Sequence, residues 1–214
     1  MAFLKRSSTE AEKSIRSGDR PNALSRRGNG LLLILLALCS LPYTEASAGA
    51  QSAPLTEYQI KAGFLFNFTK FVEWPADAFP DSSVPIVLGV VGNNQVTNLV
   101  TETAAGKTVN GRAVIVKQFK EDQDLRGCQI LFVSSSEEKH IAQILEKIKG
   151  SSVLTVGEAN GFAQAGGVIN FLVEGNKVRL ELNLEAAARA RLKISAKVIA
   201  VARLVKGESA GGRS

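Results

Sequence analysis

Pro85-Ile86-Val87-Leu88-Gly89-Val90-Val91-Gly92-Asn93-Asn94 decides the fold. Its first seven residues form a continuous apolar run, the pattern of a strand buried on both faces. Gly92-Asn93-Asn94 then turns the chain, and Asn94 has the side chain of a helix cap, which predicts a helix over 95–104. Strand, glycine turn and helix start is the building unit of an α/β fold.

The same alternation continues downstream. Residues 112–119 and 128–133 read as second and third strands. Ser136 caps a helix expected over 137–148, whose apolar stripe is Ile141, Ile144, Leu145 and Ile148, and Gly150 ends it. A fourth strand follows over 152–156, then a glycine-rich loop over 157–167. Two further strands, 168–173 and 177–182, flank Gly175-Asn176, which signals a type II′ hairpin. Helices are expected over 184–191 and 195–205. The pattern predicts a single three-layer α/β domain, with a mixed, partly parallel sheet, an antiparallel hairpin, and helices on both faces.

Upstream, Thr56-Glu57-Tyr58-Gln59 fits a capping box, and Pro75 stops the helix after Trp74. Ile60, Phe64, Phe68 and Phe71 fall on one face, and Leu65, Phe66 and Val72 widen it. Lys61 and Lys70 are left on the polar side, and Phe79 lies just beyond. So aromatic a helix is either buried between a sheet and a second helix or offers an apolar partner surface, such as a dimer interface.

The first 48 residues have a different character. A basic stretch ends at Arg26-Arg27, an apolar run spans 31–41, and Ala46-Ser47-Ala48 follows. That order is the one of a secretory signal peptide, and the run is shorter than the roughly 20 residues of a bilayer span. Residues 49–55 read as a flexible leader, 56–206 as the folded domain and 207–214 as a disordered tail. Cleavage after Ala48 removes seven of 26 basic and four of 20 acidic residues, so the net charge falls from +6 to +3 over 166 residues. The basic balance that would suggest nucleic acid is therefore largely a targeting feature, and the periplasm expected for the mature chain holds little nucleic acid.

Several chemistries are disfavoured. A zinc site of Cys and His needs about four ligands, and the chain has two Cys and one His. Cys39 leaves with the signal peptide, so Cys128 has no internal disulfide partner. His140 follows Glu137-Glu138-Lys139 on a surface helix, away from any nucleophile motif. Glu121, Asp122 and Asp124 sit in a polar turn, while Glu73, Asp77 and Asp81 flank Trp74-Pro75 without a defined partner. No cofactor, metal or catalytic residue is expected. The turn Gly92-Asn93-Asn94 can present N–H groups to a ligand anion, although it lacks the phosphate-loop lysine. The basic C-terminal stretch, from Arg189 to Lys206, reads as a helix packed on the core with solvated cations.

Gly63-Phe-Leu-Phe-Asn-Phe-Thr-Lys-Phe-Val-Glu-Trp-Pro75 resembles the opening signature of the YfiR-like family of bacterial periplasmic proteins. Cys128-Gln-Ile-Leu-Phe132 resembles a second segment of that family. So do Leu154-Thr-Val156 through Gly161-Phe162 to Gly166-Gly-Val-Ile-Asn170, and Val178-Arg-Leu-Glu-Leu-Asn183 with Leu192-Lys-Ile-Ser195. The likeness spans about residues 56–206. It implies a non-enzymatic regulator that binds the periplasmic part of an inner-membrane diguanylate cyclase and holds it inactive, lowering cyclic di-GMP. An outer-membrane lipoprotein would sequester it, and a homodimer is compatible. The lone Cys128 departs from the disulfide-bonded member of the family. Partner contacts are expected from Lys70 and Trp74 at the end of the first helix, from Phe162 in a mobile loop, and from Arg179 and Glu181. These last two, two residues apart, share the exposed face of their strand. The competing reading is a periplasmic small-molecule-binding module using Gly92, Asn93 and Asn94 or a pocket near Trp74.

Overall fold

Thr56 opens the first helix, α1 (Glu57–Phe71), with a reciprocal cap. Its hydroxyl accepts from the Gln59 N–H at 3.3 Å, and its own N–H donates to the Gln59 side chain at 2.8 Å. This computed structural model describes residues 56–92, 94–120 and 122–207, and of Asn94 the backbone only. The signal peptide and leader expected over residues 1–55 therefore lie outside the described residues, as does the tail beyond Gly207.

α1 ends at Phe71, short of the expected Trp74. Val72–Glu73 form a strand, β1, that pairs antiparallel with β9 (Lys193–Ile194). The Pro75 ring does disfavour helix just before it. The earlier stop comes from pairing with a segment about 120 residues away.

The apolar run is β2 (Ile86–Val91), buried along its whole length. With β4 (Arg112–Phe119), β5 (Ile130–Val133), β6 (Leu154–Gly157) and β7 (Ile169–Glu174) it forms a parallel block in the order β4-β2-β5-β6-β7. The hairpin partner β8 (Lys177–Leu182) is antiparallel to β7. β10 (Ala202–Leu204) runs parallel to β8 at one edge, and β3 (Thr108–Val109) lies antiparallel to β4 at the other. The mixed sheet thus has eight strands.

Alternation along these strands builds two cores. Leu88, Val90, Ile130, Phe132, Val156 and Phe171 pack on one face with α1 and α2 (Asn94–Ala104). Phe64, Phe68, Phe132 and Phe171 form a ring cluster there, with centroids 6.0 to 6.3 Å apart, a spacing favourable for aromatic pairs. Val87, Val91, Leu131 and Val133 face the other way, under α3 (Ile141–Lys147) and Phe162.

Three local expectations change. The turn at Gly175-Asn176 has φ of 53° and 63°, so both central residues are left-handed and the turn is type I′ rather than II′. Ser134, not Ser136, caps the segment after β5, which begins as a 3-10 turn over Ser135–His140. The helix expected over 195–205 is reduced to α5 (Ala196–Ile199), preceded by α4 (Leu184–Arg189). The remainder becomes β10, because β8 offers an unpaired edge whose hydrogen bonds outweigh helix propensity in so short a piece.

Candidate functional site

In this strand order the crossovers leaving β2 and β5 run in opposite directions, toward β4 and β6 respectively. The carboxyl ends of β2 and β5 are the topological switch point, where open α/β sheets commonly bind ligands. Gly92 stands there with φ 98°. A Cβ on it would come within 2.5 Å of Ser136 Oγ and 2.8 Å of Ser134 Cβ, so the glycine serves close packing against the serine turn. Asn93 and the Asn94 side chain lie outside the described residues.

The chain itself supplies an anion at this crevice. The Glu158 side chain is 2% exposed. Its Oε1 accepts hydrogen bonds from Ser134 Oγ at 3.0 Å, the Ser135 N–H at 3.1 Å and Ser135 Oγ at 3.3 Å. Its Oε2 lies 2.6 Å from Lys61 Nζ. Lys61, expected on the polar side of α1, is buried, and it also pairs with Glu57 one turn earlier at 2.5 Å. Burial alone would lower the Lys61 pKa, but hydrogen bonds and charge from Glu158 and Glu57 outweigh it and hold the ammonium above its ordinary value. Ser134, Ser135 and Lys61, donors that would otherwise meet a ligand carboxylate or phosphate, are engaged by Glu158.

Phe162 is not an exposed loop residue; it is 1% exposed. Its ring lies over two bare stretches of backbone. A Cβ on Gly157 or Gly167 would come within 2.3 or 2.1 Å of it. The loop is tied down further by Asn183 Nδ2, which donates to the Ala163 carbonyl at 2.7 Å, and by the Val168 N–H, which donates to Thr155 Oγ1 at 2.8 Å.

Arg179 and Glu181 do share a face of β8, but only Arg179 is exposed; Glu181 is buried. The register explains the difference. Arg203, Glu181, Asn170 and Gly157 lie side by side across β10, β8, β7 and β6. β10 and the glycine loop cover that row, whereas Arg179 lies nearer the open hairpin end. Glu181 Oε1 accepts from Arg203 Nη2 at 2.8 Å and from Gln164 Nε2 at 3.4 Å, and Oε2 accepts from Asn170 Nδ2 at 3.2 Å. Arg203 also approaches Glu174 at 3.4 Å.

Trp74 is half-buried, its indole N–H donating to the Gln129 carbonyl at 3.1 Å. Lys70 is exposed and lies 4.6 Å from the Phe66 ring centroid. Neither joins the row on β8 and β10. Cys128 is buried with its thiol donating to the Leu125 carbonyl, and burial pushes its pKa up to about 12. That is the state of an inert core thiol. His140 pairs with Glu137 on the turn before α3.

Of the four exposed large hydrophobics among the described residues, Val173, Val201 and Leu204 lie on the β7–β8 hairpin and along β10. A groove of about 290 Å³ runs here, lined by Leu172, Arg179, Leu180, Val201, Ala202 and Arg203. Arg203 and the β10 edge were not readable in advance, because the expected C-terminal helix hid them. Lys61 and Glu158 were missed because 97 positions separate them.

The YfiR/HmsC-like family matches residues 58–203, most of the chain. The chain belongs to the YfiR/HmsC-like family. Its members are periplasmic regulators in cyclic di-GMP signalling rather than a family of enzymes. A solved structure of a conserved domain protein from Vibrio cholerae O1 biovar El Tor aligns with a TM-score of 0.48 and 13% identity, over 70% of this chain and 60% of that one. No curated protein matches the chain. Among the described residues, no helix is long and apolar enough to cross a membrane.

Proposed function

We propose that this YfiR/HmsC-like protein is exported, loses residues 1–48, and represses an inner-membrane diguanylate cyclase by binding its periplasmic part. The observation that carries the reading is the margin of β8 and β10, where Arg179 and Arg203 stand exposed on one face of the sheet, Val173 and Leu204 on the other, and Val201 just before β10. Apolar area rimmed by cations, on an otherwise ordinary surface, is what a protein-binding patch requires. Family membership supplies the signalling context.

Repression then works by population shift. A protein that binds the inactive sensor more tightly than the active one biases it by that difference in affinity. A hundredfold suppression needs a difference of about 2.7 kcal/mol, within reach of one well-formed patch. Trp74 and Lys70, away from that margin, are the contacts left for an outer-membrane lipoprotein that sequesters the repressor.

Capture of the cyclase's periplasmic domain by the mature chain tests the reading. A Val201→Glu/Arg179→Glu variant is expected to lose capture and to raise cyclic di-GMP toward the level of a deletion. Normal cyclic di-GMP in the deletion strain would end it.

A second reading, a small-molecule module, draws on the cleft of about 300 Å³ between α3 and α4. Leu145, Ile148, Val153 and Ala186 line it, with Arg189 at its rim. A ligand-dependent rise in melting temperature without a protein partner would favour it.

A further inference from the structure

We propose that the free edge of β10 takes an extended segment of the partner as an added strand, with side chains alternating between apolar and acidic. This rests on the regulatory reading above and states how the partner is held. Among the described residues, β10 has one neighbour in the sheet, β8. The Val205 N–H donates to the Leu182 carbonyl at 3.0 Å. Backbone groups alternate direction along a strand, so Ala202 and Leu204 turn their N–H and C=O away from β8. Such a row is a template for another strand, and proteins that must avoid pairing blunt it with lysine or proline. The opposite margin of the sheet is blunted: β3 is two residues long, and the neighbouring β4 carries exposed Lys117. β10 instead carries Leu204, 54% exposed, and is preceded by Val201, 64% exposed.

The register specifies the side chains an added strand would carry. Ala202 and Leu204 align with Leu180 and Leu182, on the apolar face of the sheet, so the residues set beside them are apolar. Arg203 aligns with Glu181 on the other face and remains 58% exposed. Along this margin Lys177, Arg179 and Arg203 face Glu174 and Glu181, which leaves positive charge in excess, and Arg179 has no ion pair among the described residues. An acidic residue opposite Arg203 continues the alternation that Glu181 begins. A second copy of this chain, paired antiparallel about Arg203, would place Arg203 against Arg203, and like charges directly opposite are destabilising. The occupant is therefore an acidic–apolar strand from another protein.

The experiment follows amide exchange by NMR in the full chain with a blocked Val-Glu-Val-Glu-Val-Glu-Val peptide, and with its lysine counterpart. The Ala202 and Leu204 N–H groups should exchange roughly tenfold more slowly with the glutamate peptide, while Val205, already bonded within the fold, should not change. Ala202→Pro should remove the effect without lowering the melting temperature, since that N–H turns away from β8 and makes no hydrogen bond among the described residues. Arg203→Glu should reverse the preference to the lysine peptide. Equal slowing by both peptides, or none, overturns the proposal. So does protection before peptide is added: rising with chain concentration it means a second copy, and independent of concentration it means the chain's own terminus. Peptide protection without capture of a cyclase would keep the edge and reject the cyclase. Capture insensitive to Ala202→Pro would keep the regulator and reject strand addition.

Discussion

Glu158 and Glu181 are both buried carboxylates paired with a cation, yet they are buried differently. Glu158 is sealed with Lys61, whose side chain is 4% exposed. Glu181 is itself buried, its side chain 6% exposed, but its partner Arg203 is 58% exposed. The first pair closes the crevice where this strand order commonly binds ligands; the second ends a polar row at an open sheet edge. A charge sealed on all sides is structural, whereas one held through a solvent-facing arginine remains within reach of another molecule.

The largest effect should come from breaking the sealed pair. Lys61→Met leaves Glu158 buried without its cation, and a loss of about 3–5 kcal/mol is expected. Adding Glu158→Gln should restore much of it, because the remaining group is neutral. Chemical denaturation of the two variants tests this; a loss under about 1 kcal/mol in Lys61→Met would mean that water reaches Glu158.

Phe162→Ala should cost a comparable or slightly smaller amount, about 3–4 kcal/mol, since the ring fills the space over Gly157 and Gly167. The variant separates a core role from a partner role. It should unfold more readily yet, where folded, retain capture of the cyclase's periplasmic domain. Loss of capture at unchanged stability would return Phe162 to the binding surface.

Breaking the open pair should cost less. Glu181→Gln keeps the shape and the Asn170 contact and leaves Arg203 solvated, so about 1–2 kcal/mol is expected. If Glu181→Gln equals Lys61→Met in denaturation, the distinction between the two carboxylates fails.

The sequence showed what is local. The run 85–91, the strand 112–119, the α1 cap and the 175–176 hairpin each carry their signal within a few residues, and the parallel core followed from their alternation. The misses depend on distant chain. Val72–Glu73 leave the helix to meet Lys193–Ile194, and residues 202–204 leave an expected helix to pair with β8. Lys61 reads as solvated on a helical wheel because Glu158 comes from another part of the chain. Arg179 and Glu181 share one face, as their spacing of two predicts. Their unequal burial depends on β10, which helical periodicity had concealed.

The smallest effect concerns pH and is read at the sealed pair. The Lys61 pKa is raised in the fold, burial lowering it but Glu158 and Glu57 raising it more. The stability it contributes is fully present below the ordinary lysine value of 10.5 and is lost as pH climbs through the higher folded value. Denaturation midpoints should therefore decline more steeply above about pH 10.5 in the native chain than in the Lys61→Met/Glu158→Gln variant, which has no charge to lose there. Cys128 deprotonates in the same alkaline range, near pH 12, so the comparison is made in a Cys128→Ala background common to both chains. Equal slopes would show that Lys61 gains nothing from its partners, and the contrast between the sealed and the open carboxylate would then rest on burial alone.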